Sequence, residues 1–216
     1  APVLQSLREH ARKDVDFRRL EVGPMPAAEA CDLALALLKH TDSGTRARAR
    51  QIARESQGSP LFVTELARYA EALEVNRQGE KPGADILLAQ VLEARIDALD
   101  PEAKTLLELI VVAGSPLHER ILMAAAGLPG DPRQRLAQLR GPHLVLTHTD
   151  NEVHTVESYH DRIREFVLAR LSSNVRRERH RQLAFALEAL GEADSDTLAV
   201  HFREAGEWER AGEYAQ

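Results

Sequence analysis

The sequence predicts a mainly helical protein that carries one small β-hairpin, and three observations support this fold class. Ala, Leu, Arg and Glu dominate the composition, and all four have good helix propensity. Apolar residues recur at intervals of three or four through most of the chain, which is the spacing of one helix face. Two runs of strand-like composition, residues 143–148 and 152–157, flank the turn signal Thr149-Asp150-Asn151.

The N-terminal part of the chain predicts a helix, a short strand and two further helices. Residues 3–13 have helical apolar spacing, whereas residues 17–22 alternate as a strand does. Pro26 suits the first turn of a helix that runs to Leu38. An Arg-rich helix follows at about residues 44–56.

A third helix with a well-marked start follows Gln57-Gly58. Ser59 suits its N-cap, and Pro60 suits the first helical position, where a backbone N–H has no intrahelical partner. Residues 76–85 are polar and contain two glycines and a proline, so they predict a loop or a domain boundary.

Two helices that contribute to a core come next. Residues 88–99 place leucine and isoleucine at spacings of four, four and three, which makes one apolar face. Asp100-Pro101 is a second pair of N-cap and first-turn residues. The helix that it opens is apolar nearly all round, as expected at the centre of a core.

The following elements have the order of a winged helix, which is three helices and then a β-hairpin. Residues 116–126 and 132–139 predict the two short helices that precede the hairpin. A helix that begins at His160-Asp161 comes after the hairpin, and three more are predicted at residues 176–190, 195–205 and 207–214. The last two are joined by a short turn and have Ala and Gly at their contact, which favours the start of a helical-repeat array.

Composition narrows the function classes. The net charge of −6 argues against a general binder of nucleic acid or of anionic membranes. Cys31 is the single cysteine, so we expect no internal disulfide. We also expect a cytoplasmic location, because the cytoplasm keeps thiols reduced. The sequence shows no run of about 18 apolar residues and no signal peptide. Because the chain begins without Met and ends inside a helical pattern, we expect a piece of a longer protein.

Several segments resemble signatures of the STAND-type AAA+ ATPases, the signal-transduction ATPases with numerous domains. SQGSPLFVTEL at residues 56–66 resembles a motif of their helical lid, and VLEARIDAL at 91–99 resembles the helix that follows it. YHDRIRE at 159–165 resembles the signature of their winged-helix domain. Residues 198–214 are similar to the first helical repeat after that domain. Such modules occur in bacterial LuxR-type regulators and in fusions of an ATPase with a protein kinase or a cyclase.

The resemblance implies four regions. Residues 1–22 would end the nucleotide-binding core, 23–80 would form the helical AAA+ lid, 81–172 the winged-helix domain, and 173–216 the start of a TPR-like repeat array. The sequence has no G-x-x-x-x-G-K-[ST] phosphate loop and no strand that ends in paired acidic residues. These parts would lie upstream, so this chain would be regulatory and the parent protein would hold the ATPase module.

The resemblance also implies nucleotide contacts at three residues. In this family the lid proline, here Pro60 beside Gly58, packs on the adenine of ATP or ADP. Because proline has no N–H, it offers an apolar surface at a helix start without burying a donor. The winged-helix histidine, here His160, would contact the β-phosphate of ADP, and protonation would strengthen that contact. Mg²⁺ would belong to the intact protein.

Local chemistry leaves simpler interpretations of these residues open. Gly58 and Pro60 are also what a helix end followed by a helix start requires. His160 is also an ordinary surface or core histidine, and Asp161 suits the cap of its helix. We expect Arg162 and Arg164 to be solvated or ion-paired.

Two other function classes remain beside a nucleotide switch. A DNA-binding winged-helix regulator would use arginines of the third helix, such as Arg133 and Arg135. Residues 100–170 hold ten acidic and eight basic side chains, however, and DNA binding requires a basic surface. A helical adaptor would bind protein and no nucleotide. In the switch, the further partners would be a protein or small-molecule signal at the repeats and other copies of the protein.

Two further observations concern metal binding near the hairpin and the role of Cys31. The histidines around the hairpin lack the spacing of a metal site, so we expect none there; they are His143, His148 and His154. Cys31 has no basic neighbour in the adjacent turn, so we expect a small residue in or beside the core.

Overall fold

A computed structural model of the chain describes residues 23–39, 43–76, 87–128, 132–150 and 153–215. These residues form eleven helices and three strands, so the prediction of a mainly helical protein is confirmed. The helix expected at 3–13, the strand expected at 17–22 and most of the polar loop at 76–85 lie outside the described residues. The chain separates into two compact units, which divide between Leu88 and Ala89.

The first unit is a bundle of three helices. They are α1 (Ala27–Leu37), α2 (Ser43–Ser56) and α3 (Pro60–Asn76), and each packs against the other two. Small and branched apolar side chains fill the centre of the bundle: Ala30, Ala34, Leu38, Ala49, Ile52, Phe62, Val63 and Leu66. Alanine at the contacts lets the helix axes approach closely, so the bundle forms with a single buried aromatic ring, that of Phe62, among its described residues.

The second unit contains the other eight helices and the sheet. The helices are α4 (Leu88–Asp97), α5 (Pro101–Ala113), α6 (Glu119–Ala126), α7 (Pro132–Arg140), α8 (Asp161–Arg170), α9 (Ser173–Leu190), α10 (Ser195–Ala205) and α11 (Trp208–Tyr214). The strands are β1 (Leu117–His118), β2 (Val145–Asp150) and β3 (Val153–Ser158), paired antiparallel in the order β1-β3-β2.

The sheet corrects two predictions. Residues 116–118 were expected in a helix, but Leu117 and His118 form β1, opposite Val156 and Thr155 of β3. A strand of two residues has too little sequence to show alternation, so the pattern could not reveal it. Thr149 and Asp150, expected in the turn, belong to β2 and pair with β3.

Helix α5 is the centre of the second unit, as its apolar sequence predicts. The Asp100 carboxylate accepts the Ala103 N–H at 2.7 Å, which is the predicted N-cap. Seven of its residues are buried: Ala103, Leu106, Leu107, Leu109, Ile110, Val111 and Val112. Helices α6, α7, α8 and α9 and strand β3 all pack on α5.

Helix α10 packs on both α9 and α11, and α9 also packs on α5 and α6. Ser172 caps α9 by accepting the Val175 N–H, so the helix begins earlier than the expected residue 176. Arg179 of α9 ties it to α5, because its Nε donates to Glu108 Oε2 at 2.9 Å. The three helices are therefore continuous with the fold around α5.

Candidate functional site

The segment that carries the predicted histidine connects the sheet to α8. β3 ends at Ser158 and α8 begins at Asp161, so two residues make the connection. The Tyr159 N–H donates to the Leu144 carbonyl at 3.0 Å, and the Tyr159 ring packs edge-on against the His143 ring. These contacts fix the direction in which the chain enters the helix.

His160, and not Asp161, is the N-cap of α8. Its backbone is extended, with φ −158 and ψ 145, and its Nδ1 accepts the Arg162 N–H at 3.2 Å. Asp161 is the exposed first residue of the helix, so the prediction that it forms the cap is wrong. Its carboxylate still lies in the first turn, where the helix dipole favours negative charge.

The cap determines which nitrogen of His160 carries the proton. An acceptor nitrogen has no hydrogen, so in the neutral ring the proton is on Nε2. Nε2 is then the donor nitrogen of the neutral ring.

Arg164 fastens α8 to the end of α5. Its Nε donates to the Val111 carbonyl at 3.0 Å, in the last turn of α5. A Cβ added at Gly114 would lie 2.9 Å from the Arg164 guanidinium, and Gly114 ends α5 with φ +73. Arg164 thus has a structural partner, and its packing holds the start of α8 and His160 in place.

Gly58 has a packing reason of its own in the first unit. Its φ is +78, a conformation that glycine adopts without strain. A Cβ at this position would lie 2.5 Å from the Met25 carbonyl oxygen and 2.9 Å from Pro24 Cβ. The Met25 N–H also donates to the Gly58 carbonyl at 2.8 Å. The segment before α1 therefore crosses directly over Gly58.

Pro60 is the exposed first residue of α3, as predicted. The Ser59 carbonyl accepts the Val63 N–H at 3.0 Å, which is the backbone arrangement of an N-cap residue. Gly58 and Pro60 thus lie together at the start of α3 in the first unit, and His160 lies at the start of α8 in the second.

Glu65 is a residue of the lid-like motif that sequence reasoning did not single out. It is only 3% exposed, and its Oε1 lies 3.6 Å from Nη1 of Arg68. A buried carboxylate needs polar partners, so this glutamate has a structural task within the bundle. The sequence signal for this burial is the position of Glu65, three residues after Phe62 and one before Leu66, which are both buried.

Three other residues considered from the sequence have local partners. Arg135 of α7, a candidate for DNA contact, is ion-paired with Glu102 of α5. His148 Nε2 lies 2.8 Å from Glu157 Oε1, and His154 Nδ1 lies 3.0 Å from the Thr149 hydroxyl. Within the described ranges, no three or more His, Cys, Asp or Glu side chains are arranged to hold a metal ion.

The chain matches no protein-family model, and no curated protein has significant sequence similarity to it. For the part of the chain that the structure describes, no helix is long and apolar enough to cross a bilayer.

Proposed function

We propose that this chain is the regulatory, non-catalytic part of an ATP/ADP-switched signalling ATPase of the STAND type. Helices α1–α3 would be the lid, α4–α8 with the sheet the winged-helix domain, and α9–α11 the start of the repeat array. The order of these elements supports the assignment, since α5, α6 and α7 precede the β2–β3 hairpin. The motifs at 56–66, 91–99 and 159–165 support it independently.

The observation that carries the proposal is the position of His160. This residue is the N-cap of α8, and its Nδ1 accepts the Arg162 N–H. A helix N-terminus favours anions through its backbone N–H groups and its dipole. An imidazole at that place can donate to a phosphate oxygen, and Arg164 holds the helix against α5. Pro60, which is exposed and lacks an N–H, suits an apolar ring face.

The function that follows is a switch between two states. With ADP held by an upstream P-loop domain, the lid and the winged helix would close over the nucleotide, and the His160–phosphate contact would stabilise the closed state. A hydrogen bond to a charged group is worth about 1.5–3 kcal/mol, or roughly ten- to a hundred-fold in an equilibrium. Such a contact biases the switch without locking it. A signal at the repeats and exchange of ADP for ATP would release the contact and allow self-association.

Calorimetric titration of ADP into the full-length protein tests the proposal. We expect His160→Ala to raise the Kd for ADP by about ten- to a hundred-fold. His160→Ser is the matched control, because serine restores an N-cap acceptor but cannot reach a phosphate. If the histidine contacts ADP, both variants bind weakly. Wild-type affinity in His160→Ser would show that the histidine acts only as a cap.

The two alternative functions predict different results. A helical adaptor predicts no ADP binding by the wild-type protein. A DNA-binding regulator predicts DNA affinity that falls steeply with salt and falls again when Arg135 is replaced. The ion pair of Arg135 with Glu102 does not favour that alternative, because the arginine's charge is already compensated.

A further inference from the structure

A cavity of about 170 Å³ lies in the second unit, where the turn between α9 and α10 meets the segment from α5 to α6. An apolar cavity of about 150 Å³ accepts benzene, so this one has room for a molecule of about six heavy atoms. Its lining combines aliphatic side chains with two carboxylates and two histidines: Leu117, His118, Leu187, Glu192, Asp194 and His201.

His201 lines this cavity, and one of its two ring nitrogens is already engaged. The residue is 5% exposed, and its Nδ1 lies 3.0 Å from Nδ1 of His180, which is 6% exposed. The two nitrogens of an imidazole point in nearly opposite directions, so Nε2 of His201 faces away from His180. Within the described residues this Nε2 makes no hydrogen bond.

Nε2 of His201 can accept a hydrogen bond as well as donate one. Two neutral rings that share an Nδ1–Nδ1 hydrogen bond have one proton between these atoms. When His201 supplies that proton, its Nε2 carries none and is an acceptor. A ligand that donates to Nε2 therefore selects this arrangement without a change in the charge of the pair.

The charges at the cavity favour a cation. Glu192 is compensated, because His118 Nδ1 lies 2.5 Å from its Oε2 and Arg120 is ion-paired with it. Asp194 caps α10 by accepting the Thr197 N–H at 2.7 Å, and it has no cationic partner in the described part of the chain. Asp194, Thr197 and His201 are spaced three and four residues apart, so they lie on one face of α10.

We propose that this cavity binds a small protonated aliphatic amine. The ammonium group donates to the Asp194 carboxylate and to Nε2 of His201, and the hydrocarbon chain packs on Leu117 and Leu187. Binding joins α10 to the segment that enters α6. The inference goes beyond the proposed function, because it does not depend on a bound nucleotide.

Nuclear magnetic resonance titration of the 216-residue chain with three probes of equal length tests the proposal. Butylamine, 1-butanol and butyrate share the hydrocarbon chain and differ in the charge of the head group. We expect butylamine to shift resonances of residues 115–121 and 192–201 saturably, 1-butanol to do so more weakly, and butyrate to have no saturable effect. No saturable response to butylamine, or an equal response to butyrate, would overturn the proposal.

Two pairs of variants locate the site. Asp194→Asn keeps a good N-cap but removes the charge, and should weaken butylamine binding about two- to fivefold, since the carboxylate is exposed. Asp196→Asn, on the same turn but outside the cavity, should leave the affinity unchanged. Ala193→Leu fills space at the cavity wall and should abolish binding, whereas Ala169→Leu, at an exposed residue of α8, should not. Equal affinities within both pairs would contradict the assigned site.

Discussion

Replacement of Gly58 by alanine should destabilise the first unit more than its backbone conformation alone requires. Two effects add at this residue. The left-handed conformation, φ +78, costs a non-glycine residue about 1–2 kcal/mol. A Cβ would also lie 2.5 Å from the Met25 carbonyl oxygen and 2.9 Å from Pro24 Cβ, and such overpacking costs about 1–3 kcal/mol. We therefore expect a total loss of about 2–5 kcal/mol in the free energy of unfolding.

Gly191 provides the control for this substitution. It also has a left-handed backbone, φ +64, but no atom lies within 4 Å of an added Cβ. Gly191→Ala should cost only the conformational term of about 1–2 kcal/mol. Amide hydrogen exchange, followed by mass spectrometry, would measure the opening free energy of α3 for Gly58→Ala and of α9 for Gly191→Ala. Equal losses would refute the argument that the segment before α1 requires glycine at residue 58.

Three further predictions concern the second unit. Arg164→Ala should lower the free energy of unfolding by about 1–2 kcal/mol, because the Val111 carbonyl loses its charged donor. Urea denaturation measures this loss. An unchanged free energy of unfolding would show that Arg164 does not stabilise the packing of α8 on α5. Burial, and secondarily His201, lowers the pKa of His180 from 6.5 to about 4. The unfolded state therefore binds a proton before the folded state does, so stability that is complete above pH 6.5 should fall by up to about 3 kcal/mol as pH drops towards 4. The double variant His180→Leu/His201→Leu should lose less stability as the pH falls. A pH dependence of stability equal to that of the wild type would contradict the role of the histidine pair. Phe202→Ala should cost about 3–5 kcal/mol in the same assay, since Phe202 is fully buried; a cost near zero would mean that the α9–α11 region does not contribute to the core.

Helix starts were the most predictable features of the fold, because their signals are local. Asp100-Pro101 and Ser59-Pro60 both stand where the structure begins a helix. The apolar sequence of α5 also predicted its central position correctly. Strand β1 could not be predicted, because its two residues are defined by their partners on β3 and not by their own pattern.

The sequence predicted which residues belong to the candidate site but not the geometry of their contacts. The sequence pointed to His160, but it placed the cap at Asp161, which is the commoner capping residue. The extended backbone of His160, with ψ 145, brings Nδ1 rather than the next carboxylate to the free N–H. His180 and His201 are 21 residues apart in the chain, so no local sequence pattern predicts their contact.

The proposed switch requires that this chain closes over a nucleotide held by a P-loop domain of the same protein. Hydrogen exchange of the full-length protein with and without ADP tests this requirement. We expect slower amide exchange at residues 57–63 and 158–164 when ADP is bound, and loss of the second effect in His160→Ser. Unchanged exchange in both segments, while ADP slows exchange in the phosphate loop itself, would contradict it.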